Sequence, residues 1–372
     1  MRRVTEGVCL LTLILAACAC GEVEGTPGLD PAGGGGQPGA VALTPWEIVE
    51  FPPLPASMRD VPEARIELGR LLFSDPLLSA DGETACLTCH SEVWGMSDAL
   101  RVAVGQGAGI GAGPNRVGPN VSRRNSMALF NLAFRETLLW DGRSDSLEEQ
   151  AVLPLLAEEE LAIEPDSALS QLAGIPEYGR LFAAAFPEDP RVTVDNFGSA
   201  LAAFQRTFIS DRALYDAYVE GNVEVFDDDL VDGMFRFAEM GCNSCHTPPL
   251  FESETFADRH VPKDVGVIDF GLAEVTLRGE DIGKFRTPSL RNIFVTEPYF
   301  HNGSARSIRD AVKHELAESG LPFDDEDVRL IEGFIDRALR DTSRGIQRPS
   351  SVPSGLRIPI DGEGVGAMGS RN

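Results

Sequence analysis

Apolar residues recur at helical spacing through the middle of the chain. Ile66, Leu68, Leu71, Leu72 and Phe73 predict a helix ahead of Cys86. Phe197, Leu201, Phe204 and Phe208 return every three or four residues and predict one apolar stripe. Val312, Leu316, Val328, Ile331 and Ile335 carry the same signal. Strand patterns are few and short. Proline and glycine punctuate long loops, most clearly over residues 105–119. The patterns predict a mainly α protein with long loops and few short strands.

The two ends read differently. Arg2 and Arg3 precede an apolar run, Val8 to Ala17, that is too short for a bilayer anchor and is typical of an export signal. It ends in Leu15-Ala16-Ala17-Cys18, which resembles a bacterial lipoprotein cleavage box and marks Cys18 for lipidation. A plain secretory signal cut nearby is the alternative, and Cys20 leaves the cleavage point open. A Gly/Pro-rich tether follows, clearest at Gly33-Gly34-Gly35-Gly36-Gln37-Pro38-Gly39. Its composition cannot bury a core, so flexibility is expected. From about Gln347 onward Gly, Pro and Ser are again frequent, and a poorly ordered tail is expected. No other stretch suits a membrane span. The mature body is expected to be soluble, on the periplasmic side of a bacterial membrane, held there only through a lipid anchor or released.

A chain of 372 residues, 43% of them hydrophobic, suits two domains with terminal extensions. Four of its seven cysteines form two C-x-x-C pairs, each followed by histidine: Cys86-Leu87-Thr88-Cys89-His90 and Cys242-Asn243-Ser244-Cys245-His246. This is the attachment signature of c-type haem. Two thiols three positions apart bond the haem vinyl groups, and the adjoining imidazole lies below the iron as proximal ligand. A zinc site or a redox C-x-x-C would not require histidine after both pairs. Two covalently bound haem c groups are therefore expected. Residues 1–17 would be the signal, 18–45 the tether, 46–210 and 211–346 two cytochrome c-like helical domains with one haem each, and 347–372 the tail.

Only His260, His301 and His314 remain as further histidines. The N-terminal half has none besides His90, and its methionines after the signal are Met58, Met96 and Met127. The first haem therefore lacks an evident sixth ligand, and an open iron suits peroxide or oxygen chemistry. The net charge of −26 argues against nucleic acid and permits a basic protein partner.

Several segments together resemble the bacterial di-haem cytochrome c peroxidases and the related MauG-type enzymes. They are Ile66-Glu67-Leu68-Gly69-Arg70-Leu71-Leu72-Phe73-Ser74-Asp75-Pro76, Arg124-Asn125-Ser126-Met127-Ala128-Leu129-Phe130-Asn131, Trp140-Asp141-Gly142-Arg143, Ser146-Leu147-Glu148-Glu149-Gln150-Ala151, Thr287-Pro288-Ser289-Leu290-Arg291-Asn292 and Thr296-Glu297-Pro298-Tyr299-Phe300-His301-Asn302-Gly303. The resemblance implies that Trp140 passes electrons between the haems. It implies that Gln150 and Glu160 stand above the peroxide-binding iron, with Pro154 lining the pocket. Glu160 would move a proton between the peroxide oxygens. Without the resemblance, Glu158-Glu159-Glu160 would read as a solvated acidic run. Asn125, with the backbone of Thr296 and Pro298, matches a calcium site. A homodimer is compatible with the same resemblance.

Two positions depart from the peroxidase pattern. Many of these enzymes carry a distal histidine near the position of Val117, and none is available here. The sixth ligand of the C-terminal haem falls at Glu315, preceded by His314. Imidazole ligates iron better, so His314 is expected to bind it, with Glu315 or an empty site as alternatives. The expected activity is reduction of hydrogen peroxide with electrons from a small redox protein. The rivals are MauG-type oxidation of Trp or Tyr on a partner protein, a non-enzymatic di-haem electron carrier, and a gas-sensing lipoprotein. The carrier would leave Gln150 and Glu160 without a purpose.

Overall fold

The computed structural model describes residues 42–55, 60–264, 266–343 and 345–361. The expected signal, Cys18, the tether up to residue 41, Met58 and the last eleven residues of the expected tail, 362–372, lie outside the described residues. The chain divides into a unit Met1–Gly39 and a unit Ala40–Asn372, and the described residues all fall in the second. Among them no helix is long and apolar enough to cross a membrane.

The fold is mainly α. In chain order the helices are α1 (Glu63–Ser74), α2 (Cys86–Cys89), α3 (Leu147–Gln150), α4 (Leu153–Leu156), α5 (Pro165–Ala173), α6 (Pro176–Ala185), α7 (Val194–Gln205), α8 (Leu214–Val219), α9 (Asp228–Glu239), α10 (Ala273–Thr276), α11 (Ile308–Ser319) and α12 (Asp325–Gly333). The strands are two-residue pieces. Gly111–Ala112 pairs in parallel with Ile360–Asp361, and Phe256–Ala257 pairs antiparallel with Phe285–Arg286. The three predicted apolar patterns fall on α1, on α7, and on α11 and α12 with the π-helical turn Phe334–Ala338. Phe208 continues the stripe past the end of α7.

Side-chain caps mark where the helices begin. Thr193 Oγ1 accepts the Asn196 N–H at 3.2 Å to open α7, Asp227 accepts the Leu230 N–H at 3.0 Å to open α9, and Ser307 accepts the Asp310 N–H at 3.1 Å to open α11. Two glycines let helices touch. A Cβ on Gly69 of α1 would stand 2.0 Å from the Ala200 carbonyl oxygen of α7. One on Gly198 of α7 would stand 2.5 Å from the Glu148 oxygen of α3.

Two apolar clusters result. Leu68, Leu72, Phe73, Tyr178, Phe182, Phe197, Leu201, Phe204 and Phe208 belong to the first. Tyr215, Met234, Phe237, Phe251, Val312, Leu316, Val328, Ile331 and Phe334 belong to the second. The ends of the described span cross over between them. Ala42 and Trp46 pack on the second cluster, with Trp46 Nε1 donating to Tyr215 Oη at 2.9 Å. The segment after residue 345 packs on the first cluster through Ile346 and Ile358.

The expectation of a poorly ordered tail from residue 347 therefore fails for residues 347–361. Arg348 forms a bidentate pair with Glu92 at 3.0 and 2.9 Å, Ser354 Oγ donates to Asp75 at 2.7 Å, and Val352 is buried. Composition alone missed these few anchors.

A buried ion pair ties α8 to the segment around Arg291. Arg291 donates to both Asp216 oxygens at 2.8 and 2.6 Å and to the Pro249 carbonyl at 2.7 Å. Asp216 also accepts the Ala213 N–H at 2.8 Å. The Arg291 side chain is fully buried.

Asp98 is a buried acid of another kind. Oδ1 accepts the Leu100 N–H at 3.0 Å, while Oδ2 is buried without a hydrogen-bond partner. Burial pushes its carboxyl from 3.8 up to about 7. Between those values the folded chain holds a proton that the unfolded chain has released. Stability is thus lost as pH rises through that window and levels off above it. Asp98→Asn should be more stable than wild type at pH 8, by up to about 4 kcal/mol. Denaturant titrations should show that gap closing towards pH 4.

Candidate functional site

Both C-x-x-C-H segments fold into the same tight turn. The His90 N–H donates to the Cys86 carbonyl at 3.0 Å, and the His246 N–H to the Cys242 carbonyl at 2.9 Å. One helical turn brings each thiol pair to one face, beside its histidine. Each imidazole is then oriented by backbone. His90 Nδ1 donates to the Met96 carbonyl at 3.0 Å. His246 Nδ1 lies 3.2 Å from the Phe251 carbonyl and 3.1 Å from that of Pro288. In both rings this leaves Nε2 as the free lone pair, the form an iron ligand needs. Burial holds both imidazoles in the neutral form, pushing His246 down to about 4.

The N-terminal cavity gathers Cys86, Cys89 and His90 with Gln150, Pro154, Glu160 and Gln205. Gln150 closes α3, which Ser146 opens by accepting the Glu149 N–H. Pro154 lies in the first turn of α4. The chain then folds back: the Leu161 N–H donates to the Pro154 carbonyl at 3.2 Å, and Ile163 to Leu155 at 2.7 Å. Gly105 fits against this turn, because a Cβ there would stand 2.0 Å from the Glu159 carbonyl oxygen. Glu158 and Glu159 are exposed, whereas Glu160 reaches the cavity wall. Burial raises its carboxyl above the ordinary range, against the opposing charge of Arg143. Gln150 Oε1 is buried with no hydrogen-bond partner.

Among the described residues no methionine lines this cavity, and His90 is its only histidine. Met127 lines the second cavity, and Val117 is 83% exposed.

The second cavity, of about 420 Å³, holds Cys242, Cys245 and His246 together with Asn125, Trp140, Thr296, Pro298 and His301. Trp140 Nε1 donates to the Asn125 carbonyl at 3.0 Å, and its ring stands edge-on to His301 at 6.4 Å. The Asn125 amide donates to the carbonyls of Leu100 at 2.9 Å, and of Arg101 and Pro298 at 3.3 Å each. Three backbone oxygens converge there, a donor set that also suits a hard cation. Arg124 braces the same region through Asp141 at 2.6 Å and Asp269 at 2.7 Å.

His314 does not meet the expectation of a sixth iron ligand. It is absent from the cavity wall; its Nε2 lies 2.7 Å from the Arg259 carbonyl, and its ring packs edge-on against Phe300 at 5.1 Å. One step along α11 turns the side chain by about 100°. Glu315, not His314, therefore lines the cavity, held by Arg259 Nε at 2.7 Å.

The residues present fit two covalently held haems. Each cavity supplies two free thiols and a neutral imidazole with Nδ1 already engaged. Arg135 and Arg286 at the wall of the second cavity keep Nε and Nη1, respectively, buried and unpartnered, as suits an anionic cofactor edge. Sequence reasoning missed both, since the carboxylate partner of Arg135, Glu252, lies more than a hundred residues away and that of Arg286, Glu254, lies 32 residues away, so neither pair carries a local signal. It missed Gln205 as well, although a lone amide on an apolar helix face was a readable clue.

Comparison with known proteins places this geometry. Residues 63–224 match the family model described as di-haem cytochrome c peroxidase. The methylamine utilization protein MauG of Methylorubrum extorquens is 31% identical over 317 residues, covering 83% of this chain and 84% of its own. The cytochrome c551 peroxidase of Pseudomonas aeruginosa is 32% identical, covering 77% of this chain and 83% of its own. A crystal structure of a MauG-like protein associated with microbial copper homeostasis superposes with a TM-score of 0.66 at 24% identity, over 80% of this chain and 96% of that one, and shows the same fold.

Proposed function

The chain belongs to the di-haem cytochrome c peroxidase family, and from that premise we propose that it reduces hydrogen peroxide to water with two electrons from a small redox protein. The observation that carries this reading is one buried cavity joining Gln150 and Glu160 to His90, Cys86 and Cys89. Cys86, Cys89 and His90 would hold one haem, and Cys242, Cys245 and His246 the other. When bound, haem supplies the iron that binds the peroxide oxygen and takes up its oxidising equivalents.

The chain's own residues do the rest. Glu160 takes the proton from one peroxide oxygen and returns it to the other, so that the departing oxygen leaves as water. Its raised carboxyl is a stronger base than an exposed glutamate, and peroxide reactivity should rise with pH as it ionises. The Gln150 amide orients the oxygen ligand, and Pro154 excludes water beside it. Trp140, which lines the second cavity and donates to the Asn125 carbonyl, is the oxidisable ring assigned here to pass electrons between the haems. Steady oxidation of a reduced small c-type cytochrome by peroxide is the expected result in a stopped-flow or spectrophotometric assay. Absence of turnover with both haems attached would sink the assignment.

A second reading, oxidation of Trp or Tyr on a partner protein, is favoured by the exposed Val117 where a distal histidine is missing and by the likeness to MauG. It predicts slow cytochrome turnover and a peroxide-dependent mass change on the partner.

A calcium ion at Asn125, Thr296 and Pro298 is proposed; the Pro298 carbonyl supports it, being one of the three that converge on the Asn125 amide, with those of Leu100 and Arg101. Treatment with a chelator should lower the thermal midpoint and calcium should restore it; an unchanged midpoint would remove the ion from the account. Export to the periplasm with a lipid on Cys18 completes the reading, and mass spectrometry of the mature N-terminus tests it.

A further inference from the structure

Gln205 is the last residue of α7 and is 4% exposed, yet it lines the N-terminal cavity with Gln150, Glu160 and His90. Its carbonyl accepts the Phe208 N–H at 3.1 Å, while its side-chain amide hydrogen-bonds to none of the described residues. A primary amide carries two donors and an acceptor, and buried polar groups of this kind are normally satisfied. The side chain lies on the same face of α7 as Leu201, four residues earlier, which also lines the cavity. The amide is thus open to whatever fills the cavity.

Helix packing sets the amide beside the residues that handle peroxide. α7 lies against α3 at Gly198, and Arg206 pairs with Glu148 at 2.6 and 2.8 Å. Gln205 adjoins Arg206, and Gln150 lies two residues beyond Glu148. Two amides and one acid thus face a single cavity, and Gln150 Oε1 is buried there without a partner.

We propose that Gln205 is a second ligand-positioning amide of the N-terminal cavity, donating a hydrogen bond to the oxygen of the hydrogen peroxide bound there. The inference rests on haem attachment at Cys86 and Cys89. It gives the cavity two amide donors from different helices, fixing the ligand's orientation while leaving Glu160 free to move the proton.

Fluoride is the probe. It binds ferric haem, accepts hydrogen bonds and donates none, so its affinity reports donors near the iron. Both haems are first verified on the full-length protein by mass. Gln205→Leu should weaken fluoride binding about tenfold or more, with cyanide affinity near the wild-type value. Gln205→Glu keeps the side-chain shape and should add a pH dependence, with fluoride binding lost as the new acid ionises. It also keeps the test alive if the leucine variant fails to fold. Wild-type fluoride affinity in the leucine variant with both haems attached, or no added pH dependence in the glutamate variant, would overturn the proposal. A wild-type chain whose mass shows no haem would overturn the haem reading itself, an outcome read before any fluoride is added.

Discussion

Glu160→Gln should slow the reaction with hydrogen peroxide by about 10²–10⁴-fold, with both haems still attached and the fold intact. Glutamine keeps the side chain's shape and polarity but cannot accept the proton that O–O cleavage requires. The carboxyl lines the same cavity as His90, and burial raises it above the ordinary glutamate range. Neighbouring Glu158 and Glu159 are exposed and cannot substitute for it. The control is Glu159→Gln, which should leave the rate near wild type. Stopped-flow mixing with one equivalent of peroxide checks both. A Glu160→Gln rate within a few-fold of wild type would move the proton transfer elsewhere.

Arg291→Met should destabilise the chain by about 3–5 kcal/mol. The substitution removes both hydrogen bonds to Asp216 and the one to the Pro249 carbonyl. It leaves the Asp216 carboxylate buried, with only the Ala213 N–H among the described residues to stabilise it. The loss comes mostly from that stranded charge, not from the pair itself, so Asp216→Asn in the same chain should recover a large share. Denaturant midpoints of the two single variants and the double variant measure this coupling. If the double variant is no more stable than Arg291→Met alone, the stranded charge is not the cause. The pair joins α8 to the loop that also supplies the Pro288 carbonyl behind His246, so the destabilised variant should also hold its second haem less rigidly.

Local chemistry was the part of this protein legible in the sequence. Haem attachment needs five consecutive residues, and both turns close with the same backbone hydrogen bond. Helical spacing located α1, α7, α11 and α12 because each buries one stripe. The run Glu158-Glu159-Glu160 could not be read alone. Which of three acids faces inward depends on the turn that α4 and Gly105 impose. His314 and Glu315 show the same limit more sharply. Imidazole chemistry favoured the first, whereas the rotation of α11 sets the second on the cavity wall. The docking of residues 347–361 was hidden because three dispersed contacts, to Glu92, Asp75 and Ile110, outweigh a Gly/Pro-rich composition.

Electron paramagnetic resonance of the diferric protein, before and after one equivalent of hydrogen peroxide, tests most directly whether an open N-terminal haem reacts with peroxide. The account predicts a high-spin signal from the N-terminal haem that is lost when peroxide is added. Two low-spin signals that peroxide leaves unchanged would contradict it and favour an electron carrier.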